Sequence, residues 1–197
     1  MREGPRAPQL APEGPHDAAM IVPVIKQSVK LSEEAVRLPD RDEPIIERLA
    51  GDLLIMYAFD LPGRFEFVAR RHREALGLDV DDLRPLSVRN LVRRRRKPQI
   101  KQTDRIVLLI LDGDLEASLL LVDVLWAQLA RQIPGDLIAA VPARDTLAVT
   151  GTGVDGGVAV LNHAVRQVWE SPRANRKLLL IPSLLIRQGT SWRLLES

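Results

Sequence analysis

"DLIAAVPARDTLAVTGTGVDGG", residues 136–157, decides how the rest of this chain is read. Two apolar runs, 136–141 and 145–150, are separated only by Pro142, Ala143 and Arg144. Parallel neighbours need a dozen or more residues to cross over, so this connection predicts an antiparallel hairpin. Gly151, Gly153 and Gly156 then spell G-x-G-x-x-G ahead of a helical pattern, the order of a dinucleotide-binding turn. Such a turn works inside a parallel βαβ unit, where the glycines bring backbone N–H groups and a helix N-terminus onto a pyrophosphate. Here the strand before the glycines is the return arm of a hairpin. The acid required at the end of the next strand is missing as well: Glu170 ends the helix, and "LLLIPSLLI" (178–186) contains none. The glycines therefore read as a loop into a helix capped by Asp155, and no cofactor is expected.

Working outward, "RIVLLIL" (105–111) reads as a buried strand and "DGDLEASLLLVDVLWAQLARQ" (112–132) as one helix with Asp114 at its N-cap. Leu115, Leu119, Val122, Trp126 and Leu129 keep helical spacing, and Leu120, Leu121 and Leu125 widen the face, which predicts a central, buried helix. Beyond the glycines, Val158, Leu161, Val165 and Val168 share one helical face, and "LLIRQGTSWRLL" (184–195) folds as a hairpin around Gly189. In the first half "MIVPVIK" (20–26) is a strand that Pro23 confines to an edge or a strand start. "DLLIMYAFD" (52–60) and "RFEFV" (64–68) form a strand pair across "LPG". "ARRHREALGL" (69–78) is a short helix stopped at Gly77. A second helix starts at the cap-type residues Asp79–Asp82, with Pro85 in its first turn, and runs to about Arg96, where Pro98 ends it. Residues 1–18 hold four prolines and almost no large apolar residue, so disorder is expected there, and Met20 is an alternative start. The fold class is α+β, with antiparallel or mixed sheets built from hairpins and flanked by helices. An N-terminal half (19–98) and a C-terminal half (104–197) form one compact domain or two packed ones.

Composition narrows the function. The 197 residues are 46% hydrophobic and suffice for a sizeable core, burying roughly 70% of the unfolded surface. No apolar run approaches the ~18–20 residues needed to span a bilayer, and the start lacks a signal-peptide core, so a cytoplasmic location is expected. Cysteine is absent, which removes disulfides, thiolate metal sites and a thiol nucleophile. The pI of 9.3 accompanies a net charge of only +2 because 23 of the 28 basic residues are arginine. The near-neutral balance argues little for nucleic acid.

Several constellations carry chemistry on paper. Arg93, Arg94, Arg95, Arg96 and Lys97 form a basic run that suits the negative end of a helix dipole, could bind an anion, and holds no aromatic residue for base stacking. Asp112, Asp114 and Glu116 could hold a hard cation, but three acids at a helix start are stabilised there without one. His16, His72 and His163 each stand alone in the sequence, so no zinc site is expected. Ser118 has no identifiable base, and no G-x-S-x-G or phosphate-loop motif occurs. Arg144 and Asp145 occupy the tight loop between the two apolar strands, as turn residues, a buried pair or a ligand clamp.

"VPVIK" (22–26), "IMYAFDLPGRFEFV" (55–68), "RNL" (89–91), "DGDLEASLLL" (112–121), "GDLIAAVPARDTLAV" (135–149) and "PSLLIRQG" (182–189) together resemble the YtpQ-like family of uncharacterised bacterial proteins. The resemblance spans roughly residues 21–195 and is most specific over 112–149. It implies a compact cytoplasmic α+β protein and supplies no catalytic residue. The matching positions Asp60, Asn90, Glu116, Ser118 and Asp145 are polar residues set in apolar motifs, so a site is sought where they converge.

Three functions compete. The leading one is a non-enzymatic binding or adaptor protein that offers a sheet edge or helix face to a protein partner. The second is an enzyme of unrecognised type, for instance a metal-dependent hydrolase built on Glu116 and Asp145. The third is a nucleic-acid accessory protein acting through Arg93–Lys97.

Overall fold

The computed structural model describes residues 16–28, 38–95 and 97–196. The expectations for residues 1–15 and for Arg96 fall outside them. The chain is α+β, and every strand pairing is antiparallel.

The first sheet is centred on β3 (Leu53–Leu61). β1 (Ile21–Gln27) lies along one side of it, at the edge where Pro23 can be accommodated. On the other side β2 (Ile46–Ala50) and β4 (Arg64–Phe67) follow one another, β2 pairing with Leu53–Met56 and β4 with Ala58–Leu61. A hydrogen bond from Ile45 N to Val68 O (3.0 Å) joins them. α1 (Arg70–Ala75) and α2 (Val80–Arg94) follow. Pro85 is the sixth residue of α2 rather than a first-turn residue, and it is exposed.

The second sheet has the order β10-β9-β7-β8-β6-β5. Its members are β5 (Gln99–Gln102), β6 (Val107–Ile110), β7 (Leu137–Ala143), β8 (Thr146–Gly151), β9 (Leu184–Gln188) and β10 (Ser191–Leu194). The β7–β8 hairpin sits at its centre. β7 is buried at every position because both faces of the sheet are covered, which is why it reads as an unbroken apolar run. One face packs with the first sheet in a single apolar cluster that includes Ile55, Tyr57, Leu109, Val149, Leu185 and Trp192. On the other face α4 (Gly157–Glu170) sets Leu161 and Val165 against Ile138, Ala140, Ala148 and Leu184.

Two expectations are corrected. The helix expected over 112–132 is instead a 3-10 turn, Ala117–Leu121, followed by α3 (Asp123–Leu129). The indole of Trp126 donates to Leu119 O (2.8 Å) and that of Trp192 to Leu120 O (3.0 Å). Those carbonyls would otherwise accept the N–H groups four residues on, so the indoles replace the helical ladder at the break. Asp114 consequently caps nothing there and pairs with Arg144 instead. The N-cap of α4 is Gly156, in the left-handed region at φ 67°, and not Asp155.

Candidate functional site

The polar residues singled out by sequence are mostly fastenings. Asn90, buried on α2, donates to Ala18 O (2.8 Å) and Ile21 O (2.9 Å) and so holds the start of β1. Glu116 is only 2% exposed and accepts the N–H groups of Leu111 (3.0 Å) and Gly113 (2.7 Å) with one oxygen, closing the loop after β6. Its other oxygen and the Ser118 hydroxyl are buried without a hydrogen-bond partner among the described residues. Asp145 is exposed at the hairpin tip and accepts from Thr146 Oγ1 (3.1 Å). Glu116 and Asp145 therefore lie in opposite environments, one buried and one in solvent.

The basic run divides. Arg95 Nη2 reaches Asp60 (2.8 Å) and its Nη1 reaches Asp112 (2.5 Å), tying the end of β3 to the loop after β6. Arg94 pairs with Asp60 as well (3.5 Å). Arg93 and Lys97 are exposed. The acids read as a possible cation site are thus separately engaged: Asp112 by Arg95, Asp114 by Arg144 (2.8 Å) and Glu116 by backbone N–H groups.

Arg144 lies with its guanidinium carbon 5.7 Å from the Phe65 ring centroid, and Lys26 Nζ lies 5.7 Å from that of Phe67. Burial, and then the nearby Arg144 charge, holds the Lys26 amine below its ordinary value of 10.5. The folded state therefore disfavours the proton on Lys26. That penalty is fully present below the depressed value and is relieved as pH rises through it towards 10.5. Lys26→Met should raise the thermal midpoint at pH 7, with the gain over wild type shrinking towards pH 10.5; equal gains at pH 7 and 10.5 would exclude the charge as its source. Burial, followed by a short hydrogen bond to Glu47, raises the Tyr57 hydroxyl above its ordinary range; Arg84 of α2 completes this link by pairing with Glu47 (3.1 Å).

The isolation of His16 and His72 holds in sequence but not in space. His16 Nε2 donates to Glu66 Oε1 (2.9 Å), its ring lies 4.4 Å from those of Phe59 and His72, and it is part of the packed structure rather than of a loose tail. His16, Glu66 and His72 are also the one converging group of three potential metal ligands among the described residues. The donor set does not suit a cation. Ala69 N–H donates to His72 Nδ1 (3.1 Å), which places the ring proton on Nε2, so the one acceptor lone pair of the neutral ring is already taken, and the Arg71 guanidinium stands 3.1 Å from Nε2. His163 is exposed on α4.

A feature the sequence did not reveal lies beside the basic run. A groove of about 310 Å³ opens between the end of α2, the strand β5 and α3, with Leu91, Leu111, Leu119, Val122 and Leu125 in its walls. Val92 (55% exposed), Ile100 (52%) and Val124 (68%) line it, three of the seven large apolar residues that are exposed among those described. Arg95 and Lys97 also line it, and Lys101 is exposed on β5. The available signal was Ile100, a lone apolar residue inside "RRRRKPQIKQ" (93–102), which reads as a linker.

Among the described residues no helix is long and apolar enough to cross a membrane. Comparison with family models, with curated proteins and with solved structures returned no match for this chain, so its groove and its buried fastenings are what bear on function.

Proposed function

We propose that this chain is a non-enzymatic binding protein that receives a segment of a partner protein in the groove between α2, β5 and α3. Membership of the YtpQ-like family belongs to the same proposal. The observation that carries it is the convergence of Val92, Ile100 and Val124 on one largely apolar groove. Exposed apolar side chains scattered singly need no explanation, whereas a contiguous patch with a polar rim is typical of an interaction site. An enzymatic reading has less support, because Glu116 is spent on its own loop and Asp145 stands apart in solvent.

A photo-crosslinking residue at position 124, compared with one at the exposed Val80 outside the groove, tests this. The expected result is a partner that crosslinks from 124 and not from 80, and that binds the purified chain in solution. Val124→Glu should leave the thermal midpoint within about 1–2 °C, as surface substitutions stay within about 0.5 kcal/mol, and should weaken binding at least tenfold. Equal crosslinking from both positions, or unimpaired binding by Val124→Glu, would remove the groove from the function. Crosslinks to nucleic acid, with binding that weakens steeply with salt, would favour the accessory-protein reading instead.

A further inference from the structure

Resting on that reading of the groove, we infer that its occupant is an extended, acidic segment of another protein that adds to the second sheet as a seventh strand alongside β5. Among the described residues β5 closes one edge of that sheet, and all four of its residues are exposed. The register shows which backbone groups are open. The β5–β6 turn is closed by Thr103 N–H donating to Ile106 O (2.9 Å), and the pairs behind it run Gln102–Val107, Lys101–Leu108, Ile100–Leu109 and Gln99–Ile110. In an antiparallel ladder hydrogen-bonded and non-bonded pairs alternate. Counting from the turn, Lys101 and Gln99 bond to β6, while Ile100 and Gln102 direct N–H and C=O away from it, towards the open edge.

Side chains follow the same alternation. Ile100 stands opposite Leu109, which belongs to the core shared by the two sheets, and it lines the groove. Lys101 stands opposite Leu108, on the face that α4 covers. A strand pairing with Ile100 and Gln102 would therefore drop every second side chain into the groove, next to Val92 and Val124. Main-chain bonds with alternate side chains in pockets are the recognition mode of strand addition. A helix laid in the same groove would leave the Ile100 and Gln102 backbone groups unpaired. The charge of the occupant follows from the cations along this edge: Lys97 lines the groove, Lys101 is exposed on the other face of β5, where it meets the alternate residues of the added strand, and the neighbouring acid Asp112 is already engaged by Arg95. Acidic residues flanking the apolar ones match these cations.

The test is selection of random sixteen-residue peptides displayed on phage against the full chain, with Val124→Glu protein as the counter-selection. The expected peptides place apolar residues at every second position with Asp or Glu near them. The clean probe of the edge is Gln102→Pro, which removes one outward N–H where proline is tolerated on an edge strand, with Gln102→Ala as its control. Gln102→Pro should weaken a selected peptide at least tenfold, and Gln102→Ala should bind as wild type. If Gln102→Pro does not fold, N-methylation of alternate backbone positions in the peptide makes the same test, since a strand loses its bonds and a helix-face contact keeps its side chains. Peptides with helical spacing, or binding indifferent to Gln102→Pro and to N-methylation, would overturn strand addition and leave the groove reading standing. Failure to enrich any peptide sensitive to Val124→Glu would overturn both.

Discussion

Trp126→Ala should lower stability by about 4 kcal/mol, within the 3–5 kcal/mol typical of removing a large aromatic from a core. For a chain of this size that is a fall of roughly 8–16 °C in the thermal midpoint. Trp126 is fully buried and meets Trp192 edge-on with ring centroids 4.7 Å apart. Both rings lie under Arg187, whose guanidinium carbon is 5.8 Å from one centroid and 5.3 Å from the other, and which pairs with Asp123 (2.6 Å). Alanine would leave a cavity, withdraw the edge-on contact and leave the Leu119 carbonyl with the Val122 N–H (3.0 Å) in place of two donors. Trp126→Phe separates these effects. It keeps most of the buried area and loses only the N–H, while Leu119 O keeps the Val122 N–H, so its cost is that of one hydrogen bond, about 0.5–1.5 kcal/mol. That variant also tests why the helix breaks. With Leu119 O released, the 3-10 turn can convert to α-helix and join α3, and the far-UV helical signal should rise. An unchanged signal would mean that packing of the Leu119–Val122 side chains sets the break without the indole.

The same tryptophans mark the boundary of what the sequence made legible. The hairpin 137–151 was readable because its loop is too short for any alternative, and its return arm directly before the glycines excluded a parallel nucleotide-binding turn. β1, β3, β4 and the 184–194 hairpin were readable from apolar runs bounded by turn residues. The broken helix was not. Leu119 to Leu129 has sound helical periodicity, and its interruption depends on an indole donor 72 residues away in the case of Trp192. Nor was β5, because a strand exposed at every position carries no apolar alternation, and Gln99–Gln102 looks like the tail of the arginine run. The candidate groove was hidden for a related reason. Its lining comes from 91–100, Leu111 and 119–128, and exposure of Val92 or Val124 on helices of ordinary pattern is a tertiary fact. Of the polar residues within apolar motifs, Asn90 and Glu116 satisfy backbone groups. Buried polar residues are more often bonded to backbone than poised for chemistry.

Gly151→Ala should cost about 3 kcal/mol, the upper part of the usual range for overpacking, and the cost should be the same with or without a nucleotide. A β-carbon at Gly151 would overlap Pro134 O and stand 2.7 Å from Ile133 Cγ2, and at Gly153 it would stand 3.0 Å from Pro134. Pro134 O accepts the Gly153 N–H (3.0 Å), and Thr152 N–H donates to Asp136 O (2.9 Å), so the segment before β7 is fastened directly onto the glycine loop. The contact is backbone against backbone at the open end of the β7–β8 pair, and neither side can yield without shifting β7 or β8. Close approach accounts for Gly151 and Gly153, and a left-handed N-cap accounts for Gly156, so all three glycines of the fingerprint have structural duties. A pyrophosphate-binding loop would behave differently, with alanine sparing the fold and abolishing a ligand-induced gain in stability. Thermal melts of wild type and Gly151→Ala, with and without millimolar NAD or ATP, separate the cases. The expected result is a fall of roughly 6–12 °C in the variant and no nucleotide-dependent shift in either protein. A wild-type midpoint that rises with nucleotide, and ceases to do so in Gly151→Ala, would return these glycines to a binding role.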